Sequence, residues 1–217
     1  MTTLLIATRN AHKVAEIRAL LSGQCACLSQ NDLPEAPTIV EDEINFAGNA
    51  RKKAEGLAAW IGDHSPLANC APEFILADDS GLEVDALGGA PGVHSARFAA
   101  EEISGSANAP DAANNAKLLR LLAGVPLERR GARFRCALAL APLRAAAKAG
   151  STTLFEGSCE GRIALAPAGA GGFGYDPLFV PDGWNQSLAE LGESVKNTMS
   201  HRARALRQLR EFLLQRG

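Results

Sequence analysis

The sequence predicts an α/β fold: a mixed β-sheet flanked by helices, in a single domain spanning residues 1–217. Three observations carry this. An apolar run, Leu4-Leu5-Ile6, ends in a polar turn and is followed by Val14, Ile17, Leu20 and Leu21 at helical spacing, so the chain opens strand-then-helix. Helix-patterned and strand-patterned segments then alternate before a run of strands, which suits a mixed sheet with helices on its faces. The length of 217 residues exceeds an average domain and falls short of two, enough for one large unit, with room for two lobes.

The elements follow in order. A strand is expected from about Thr3 to Thr8, then a helix to about Leu21 with Asn10 as its cap. A second helix is expected from Phe46 to Ile61, where Phe46, Ala50, Leu57 and Ile61 form an apolar stripe. Phe74 to Ala77 reads as a short buried strand stopped by Asp78-Asp79-Ser80-Gly81. Ala112 to Leu122 reads as helix, and Phe134 to Leu140 and Thr152 to Phe155 read as strands. A last helix is expected from Ser200, its cap, with Ala203, Leu206, Leu209 and Leu213 on one side. Small and helix-breaking residues mark Gly62 to Pro72, Gly105 to Pro110 and Ala145 to Ser151 as loops.

Composition narrows the function. A net charge of −2 gives no basic field for wrapping nucleic acid or resting on anionic lipid, so an anionic ligand would need local Lys and Arg. Five cysteines without a Cys-x-x-Cys pair point to a reducing compartment, and four histidines without His-x-x-x-His spacing argue against zinc. No segment approaches the roughly 20 apolar residues that span a bilayer. The first residues lack the pattern of a secretory leader, and a cytoplasmic location is expected.

Several segments can carry chemistry. Thr8-Arg9-Asn10-Ala11-His12-Lys13 lies between a strand end and a helix start, where backbone N–H groups and the helix dipole favour an anion; taken alone, it reads first as a capped helix with a solvated lysine. Asp78 and Asp79 are adjacent carboxylates that repel unless satisfied, which fits Mg²⁺ held with substrate phosphates, or an acidic turn closed by Gly81. Glu41 can add a second carboxylate, or with Asp42 and Glu43 stabilise the following helix dipole. Asn49 and Lys53 share a helix face. Gly169 to Gly174 satisfies G-x-G-x-x-G, yet Pro167 precedes it and Tyr175-Asp176-Pro177 follows, so no helix opens behind it and a dinucleotide-binding turn is excluded. Phe173 can offer a stacking face and Asp176 an acceptor to a base, or the loop can be a turn with a core phenylalanine. His201 and Arg202 can donate to a ligand oxygen or sit on a charged helix surface.

Taken together, these segments resemble the Ham1/inosine-triphosphatase family. The matching blocks are I-A-T-R-N-A-H-K at Ile6 to Lys13, N-A-R-K-K-A at Asn49 to Ala54, D-D-S-G-L-E-V-D-A-L-G-G-A-P-G-V-H-S-A-R-F at Asp78 to Phe98, G-G-F-G-Y-D-P-L-F at Gly171 to Phe179, and S-H-R at Ser200 to Arg202. The resemblance implies an elongated central sheet, two lobes around a central nucleotide cleft, and a homodimer. It implies Mg²⁺-dependent hydrolysis of ITP, dITP and XTP to the monophosphate and pyrophosphate, with no stable nucleic acid or membrane partner. By position, Thr8, Arg9, Asn10, Ala11, His12 and Lys13 would contact the triphosphate with Lys53. Asp79 would be metal ligand and proton acceptor, with Glu41 a second ligand. Ser80, Phe173, Gly174, Tyr175, Asp176, Lys196, His201 and Arg202 would complete the nucleotide site. Two positions depart from the family: Arg9 replaces a usual glycine, and Gly48 replaces a usual glutamate. A Maf-like pyrophosphatase of other base specificity and a non-catalytic nucleotide-binding protein are the alternatives.

Overall fold

A computed structural model describes residues 2–64, 72–102, 108–143 and 151–216. The loops expected around 62–72, 105–110 and 145–151 fall mainly on 65–71, 103–107 and 144–150, outside the described residues. The strands are β1 (Thr2–Ile6), β2 (Cys25–Ser29), β3 (Phe74–Val84), β4 (Gly131–Pro142), β5 (Thr153–Ile163) and β6 (Phe179–Pro181). The helices are α1 (Ala11–Leu20), α2 (Phe46–His64), α3 (Asp111–Leu121), α4 (Leu188–Met199) and α5 (His201–Leu214). The six strands form one sheet in the order β2-β1-β3-β4-β5-β6. β1 runs parallel to both β2 and β3, while β5 and β6 are antiparallel, so the sheet is mixed as expected.

The chain divides into two compact units. The first comprises residues 1–79, 136–156 and 204–217. Its core joins Leu4 and Ile6 of β1, Val14 and Ile17 of α1, Phe74 and Leu76 of β3, Cys136, Leu138 and Leu140 of β4, and Leu206 and Leu209 of α5. The second comprises residues 80–135 and 157–203. Its core joins Leu82 and Val84 of β3, Leu118 of α3, Phe134 of β4, Ile163 of β5, and Tyr175, Phe179 and Leu188. Three strands, β3, β4 and β5, each pass from one unit into the other.

The sequence expectations differ from this in instructive places. β3 does not stop at Asp78 but continues to Val84, with Gly81 inside the strand rather than in a turn. The two aspartates are tolerated there because each finds partners, described below. α2 runs on through Gly62 to His64. β4 and β5 extend well beyond Phe134–Leu140 and Thr152–Phe155. β2, β6 and α4 had no sequence expectation. α4 carries the signal that could have shown it: the Ser187 side chain accepts from the Glu190 N–H while Glu190 reaches back to the Ser187 N–H, a capping box.

Candidate functional site

The site residues fall in two sets, one in each unit. In the first, the phosphate-loop candidate is built by capping. Asn10 Oδ1 accepts from the N–H groups of His12 and Lys13 at 3.0 and 3.1 Å, and the Asn10 N–H donates to Thr8 Oγ1 at 3.2 Å. This leaves Ala11 and His12 exposed on the first turn of α1. Arg9 turns aside. Its Nη2 donates to the carbonyls of Ala36 (2.8 Å) and Pro34 (3.5 Å), while its own carbonyl accepts from Asn31 Nδ2 at 3.4 Å.

Lys13 is largely withdrawn from solvent. Its Nζ lies 2.6 Å from Oδ1 of Asp78, a fully buried carboxylate, and Cys136 Sγ donates to the other oxygen at 3.3 Å. Lys53 Nζ donates to the Asp78 carbonyl at 2.8 Å and to Glu41 Oε2 at 3.0 Å, and lies 3.5 Å from Asp79 Oδ1. Asp78 therefore holds both lysines, one by its side chain and one by its backbone. Successive residues of an extended strand face opposite ways, which separates the two aspartates of the pair.

Asp79 is the odd member. It is buried, and its Oδ2 has no hydrogen-bond partner. Burial pushes its carboxyl above the ordinary aspartate range against the pull of Lys53 and Lys13, with Glu41 adding to the rise and the Asn49 amide opposing it. Burial also works to raise Glu41, yet Lys53, a hydrogen bond from Asp79 and the charge of Lys13 hold it below the ordinary range. Two carboxyls sharing a site are thus driven apart, the proton affinity of Asp79 being raised and that of Glu41 lowered. Asn49, fully buried, also accepts from the Glu43 N–H at 3.0 Å and so fixes the segment just after Glu41. Its place four residues before Lys53 was the sequence signal for it.

In the second unit, Asp176 organises the glycine-rich loop. Its Oδ2 accepts from the Phe173 N–H at 2.9 Å and from Lys196 Nζ at 2.7 Å, a pair almost wholly buried. Gly172, at φ +73°, must be glycine, since a Cβ there would collide with the Asp176 carboxylate. Lys196 Nζ lies 4.4 Å from the centre of the Phe173 ring and the Arg202 guanidinium 5.9 Å from it, so the ring is bracketed by cations. Arg202 is 1% exposed and donates to Ser80 Oγ at 2.8 Å. His201 is buried and stacks on Phe134 with ring centres 4.9 Å apart. Tyr175 donates its hydroxyl to the Ser95 carbonyl at 2.9 Å, and burial raises its pKa well beyond the usual tyrosine value. The surface-helix alternative for His201 and Arg202 is set aside by their burial.

This arrangement can be compared with known proteins. The Ham1 family profile matches residues 4–212. A dITP/XTP pyrophosphatase of Shouchella clausii is 45% identical over 214 residues, covering 98% of this chain and 97% of its own. The chain belongs to the Ham1 family. A dITP/XTP pyrophosphatase of Desulforamulus reducens is 47% identical, with 97% of this chain and 94% of its own covered. Among solved structures, a HAM1 protein from Coxiella burnetii superposes with a TM-score of 0.81 at 35% identity, over 99% of this chain and 100% of its own. Within this Ham1 chain, no group of three or more His, Cys, Asp or Glu side chains among the described residues is arranged to hold a metal. No helix among the described residues is long and apolar enough to cross a membrane.

Proposed function

We infer that this chain hydrolyses non-standard purine nucleoside triphosphates, ITP, dITP and XTP, to the monophosphate and pyrophosphate. The near-full-length likeness to dITP/XTP pyrophosphatases supports the substrate class. The observation that carries the chemistry is the orphan oxygen of Asp79 inside a cluster of two lysines and a second carboxylate. An acceptor left unpaired in a buried site costs about 1–3 kcal/mol, which a ligand arriving there would recover.

The residues fit a hard divalent cation. The donors are carboxylate oxygens, one of them unsatisfied, and Mg²⁺ is usually held by one or two carboxylates plus substrate phosphates. Glu41 and Asp79 would hold it, and once bound it supplies charge neutralisation at the phosphates and lowers the pKa of water. Lys13 and Lys53 serve the triphosphate as fixed charges, placed before substrate arrives because Asp78 already holds them. The capped turn Thr8 to Lys13 presents N–H groups at the start of α1 to the same anion. Asp79, whose proton affinity is raised, accepts the proton of the attacking water at Oδ2. In the other set, Phe173 offers its ring to the purine, and Arg202 and His201 stand as donors for a keto oxygen. Lys196 and Asp176 hold the loop and its charge.

Pyrophosphate release from ITP, dITP and XTP, set against ATP and GTP, tests the reading. Turnover of the first three at least about tenfold faster is expected, the scale of one well-placed polar contact. It should vanish on chelation and return with Mg²⁺. Binding of all five without hydrolysis would favour the non-catalytic alternative. A preference for standard or pyrimidine nucleotides would favour the Maf-like one. The resemblance also implies a homodimer, which the native mass of the purified protein tests.

A further inference from the structure

The glycine-rich loop is not positioned by its own residues alone. Gly174, between Phe173 and Tyr175, has both halves of its backbone taken by one face of α3. Its N–H donates to Asp111 Oδ2 at 2.6 Å, and its carbonyl accepts from Asn115 Nδ2 at 2.9 Å. Asp111 and Asn115 are four residues apart, on successive turns of the same helix face. Gly174 sits at φ +63°, a left-handed conformation that an external grip can hold in place.

The platform behind this grip is rigid. Next to Asn115, the buried Asn114 accepts from the Ala99 N–H at 2.8 Å and donates to the carbonyls of Ala96 and Ala109, while Leu118 lies fully buried in the core of the unit. Asn115 pays for its bond in an unusual way. Because the Gly174 carbonyl needs a donor, the amide must turn Nδ2 toward it, which leaves Oδ1 buried with no partner. An apolar side chain would fill the same space without an orphan acceptor. A polar residue kept there has one evident use, and that is holding Gly174.

We propose that Asp111 and Asn115 are positioning residues for base recognition: α3 fixes the Gly174 peptide and so sets the Phe173 ring and the Asp176 carboxylate against the purine. This rests on the reading that the Phe173–Asp176 loop serves the base. It also assigns Gly174 a different part from the one expected of it. Its N–H is already spent on Asp111, so it shapes the loop and does not donate to the nucleotide.

The test measures kcat/KM for ITP and ATP in four variants: Asp111→Ala, Asp111→Asn, Asn115→Ala and Phe173→Ala, with melting temperature read alongside. Asp111 is exposed, so its truncation leaves the core intact. Asp111→Ala is expected to shrink the ITP-to-ATP ratio about fivefold or more, through a raised KM for ITP with kcat retained. Asp111→Asn, which keeps an oxygen acceptor, should restore most of the ratio. Asn115→Ala should act in the same direction at a larger loss of melting temperature. A merely structural role would lower the melting temperature and slow both substrates alike. If Phe173→Ala shifts the ratio while neither α3 variant does, the proposal is overturned and the base reading stands. If none of the four shifts it, both fall together.

Discussion

The two sets of site residues differ in their balance of charge. Around Asp79, three carboxylates (Glu41, Asp78, Asp79) face two lysines (Lys13, Lys53), an excess of one negative charge when all are ionised. Around Phe173, two carboxylates (Asp176, and Asp111 on the Gly174 N–H) face Lys196 and Arg202, an even balance. Burial and the neighbouring Glu41 raise the proton affinity of Asp79 in the first set, and a bound cation would offset its excess charge. In the second set the two cations lie against an aromatic ring. The function proposed above assigns the first set to the metal and phosphates and the second to the base.

The sharpest way to break this comparison is Asp79→Asn. Removing the acceptor should lower kcat by about 10²–10⁴-fold, the range expected for general-base catalysis, measured as pyrophosphate release at saturating Mg²⁺. The fold should not suffer. A carboxyl whose folded pKa is raised loses stability for the protein as pH climbs from its unfolded value through the folded one, and above that the full penalty applies. Asparagine abolishes the penalty, so at neutral pH the variant should melt no lower than the parent, and the difference should disappear at low pH. Near-normal turnover would remove Asp79 from the chemistry.

Lys196→Ala and Asp78→Asn probe the paired members instead. Lys196→Ala strands the buried Asp176, and breaking a buried pair by removing one partner typically costs about 3–5 kcal/mol. Asp78→Asn leaves Lys13 without its counter-charge, with a smaller loss, about 2–3 kcal/mol, because Lys13 keeps some contact with solvent. Both should lose melting temperature and raise KM together. The neighbours Asp78 and Asp79 should thus separate cleanly under one substitution: asparagine at 78 lowers stability, and asparagine at 79 does not. Equal effects would mean that the two carboxylates share one role.

How far the sequence carried can be judged from these same residues. The start of α1 was legible because Asn10 is a local cap, and the stripe of α2 because its period is local. The course of β3 was not. Asp-Asp-Ser-Gly has the composition of a turn, and its place in the sheet between β1 and β4, with Lys13 and Cys136 satisfying the buried Asp78, makes it a strand. The family motifs gave the two sets of residues, but local patterning said nothing of their pairing. Lys13 and Lys196 look like free phosphate-binding cations in sequence, and both prove to be held by buried aspartates. Asp111 and Asn115 were invisible because their partner is the backbone of a glycine about 60 residues on, and a backbone group has no signature.

Arg202→Ala sharpens the second set. Its guanidinium donates to Ser80 and lies near the Phe173 ring. If it also serves a keto oxygen, its loss should narrow the ITP-to-ATP ratio of kcat/KM by roughly 1–3 kcal/mol, the value of one buried donor. Both substrates slowed alike would leave Arg202 a support for Ser80 and the ring.

The smallest effect is expected at Arg9, where this chain departs from its family. In sequence an extra cation on the phosphate loop reads as an extra ligand for the triphosphate. In the folded chain its Nη2 is committed to the Ala36 carbonyl at 2.8 Å, and its carbonyl receives Asn31, so Arg9 ties the turn before α1 to the segment 31–36. An exposed tie of this kind is worth about 0.5–1.5 kcal/mol, and Asn10 and Thr8 hold the turn without it. Arg9→Ala should therefore lower the melting temperature by only about 1–6 °C and change KM for ITP less than about threefold. A tenfold rise in KM at unchanged melting temperature would place the guanidinium on the phosphates, and the first set would then balance its carboxylates with three cations rather than two.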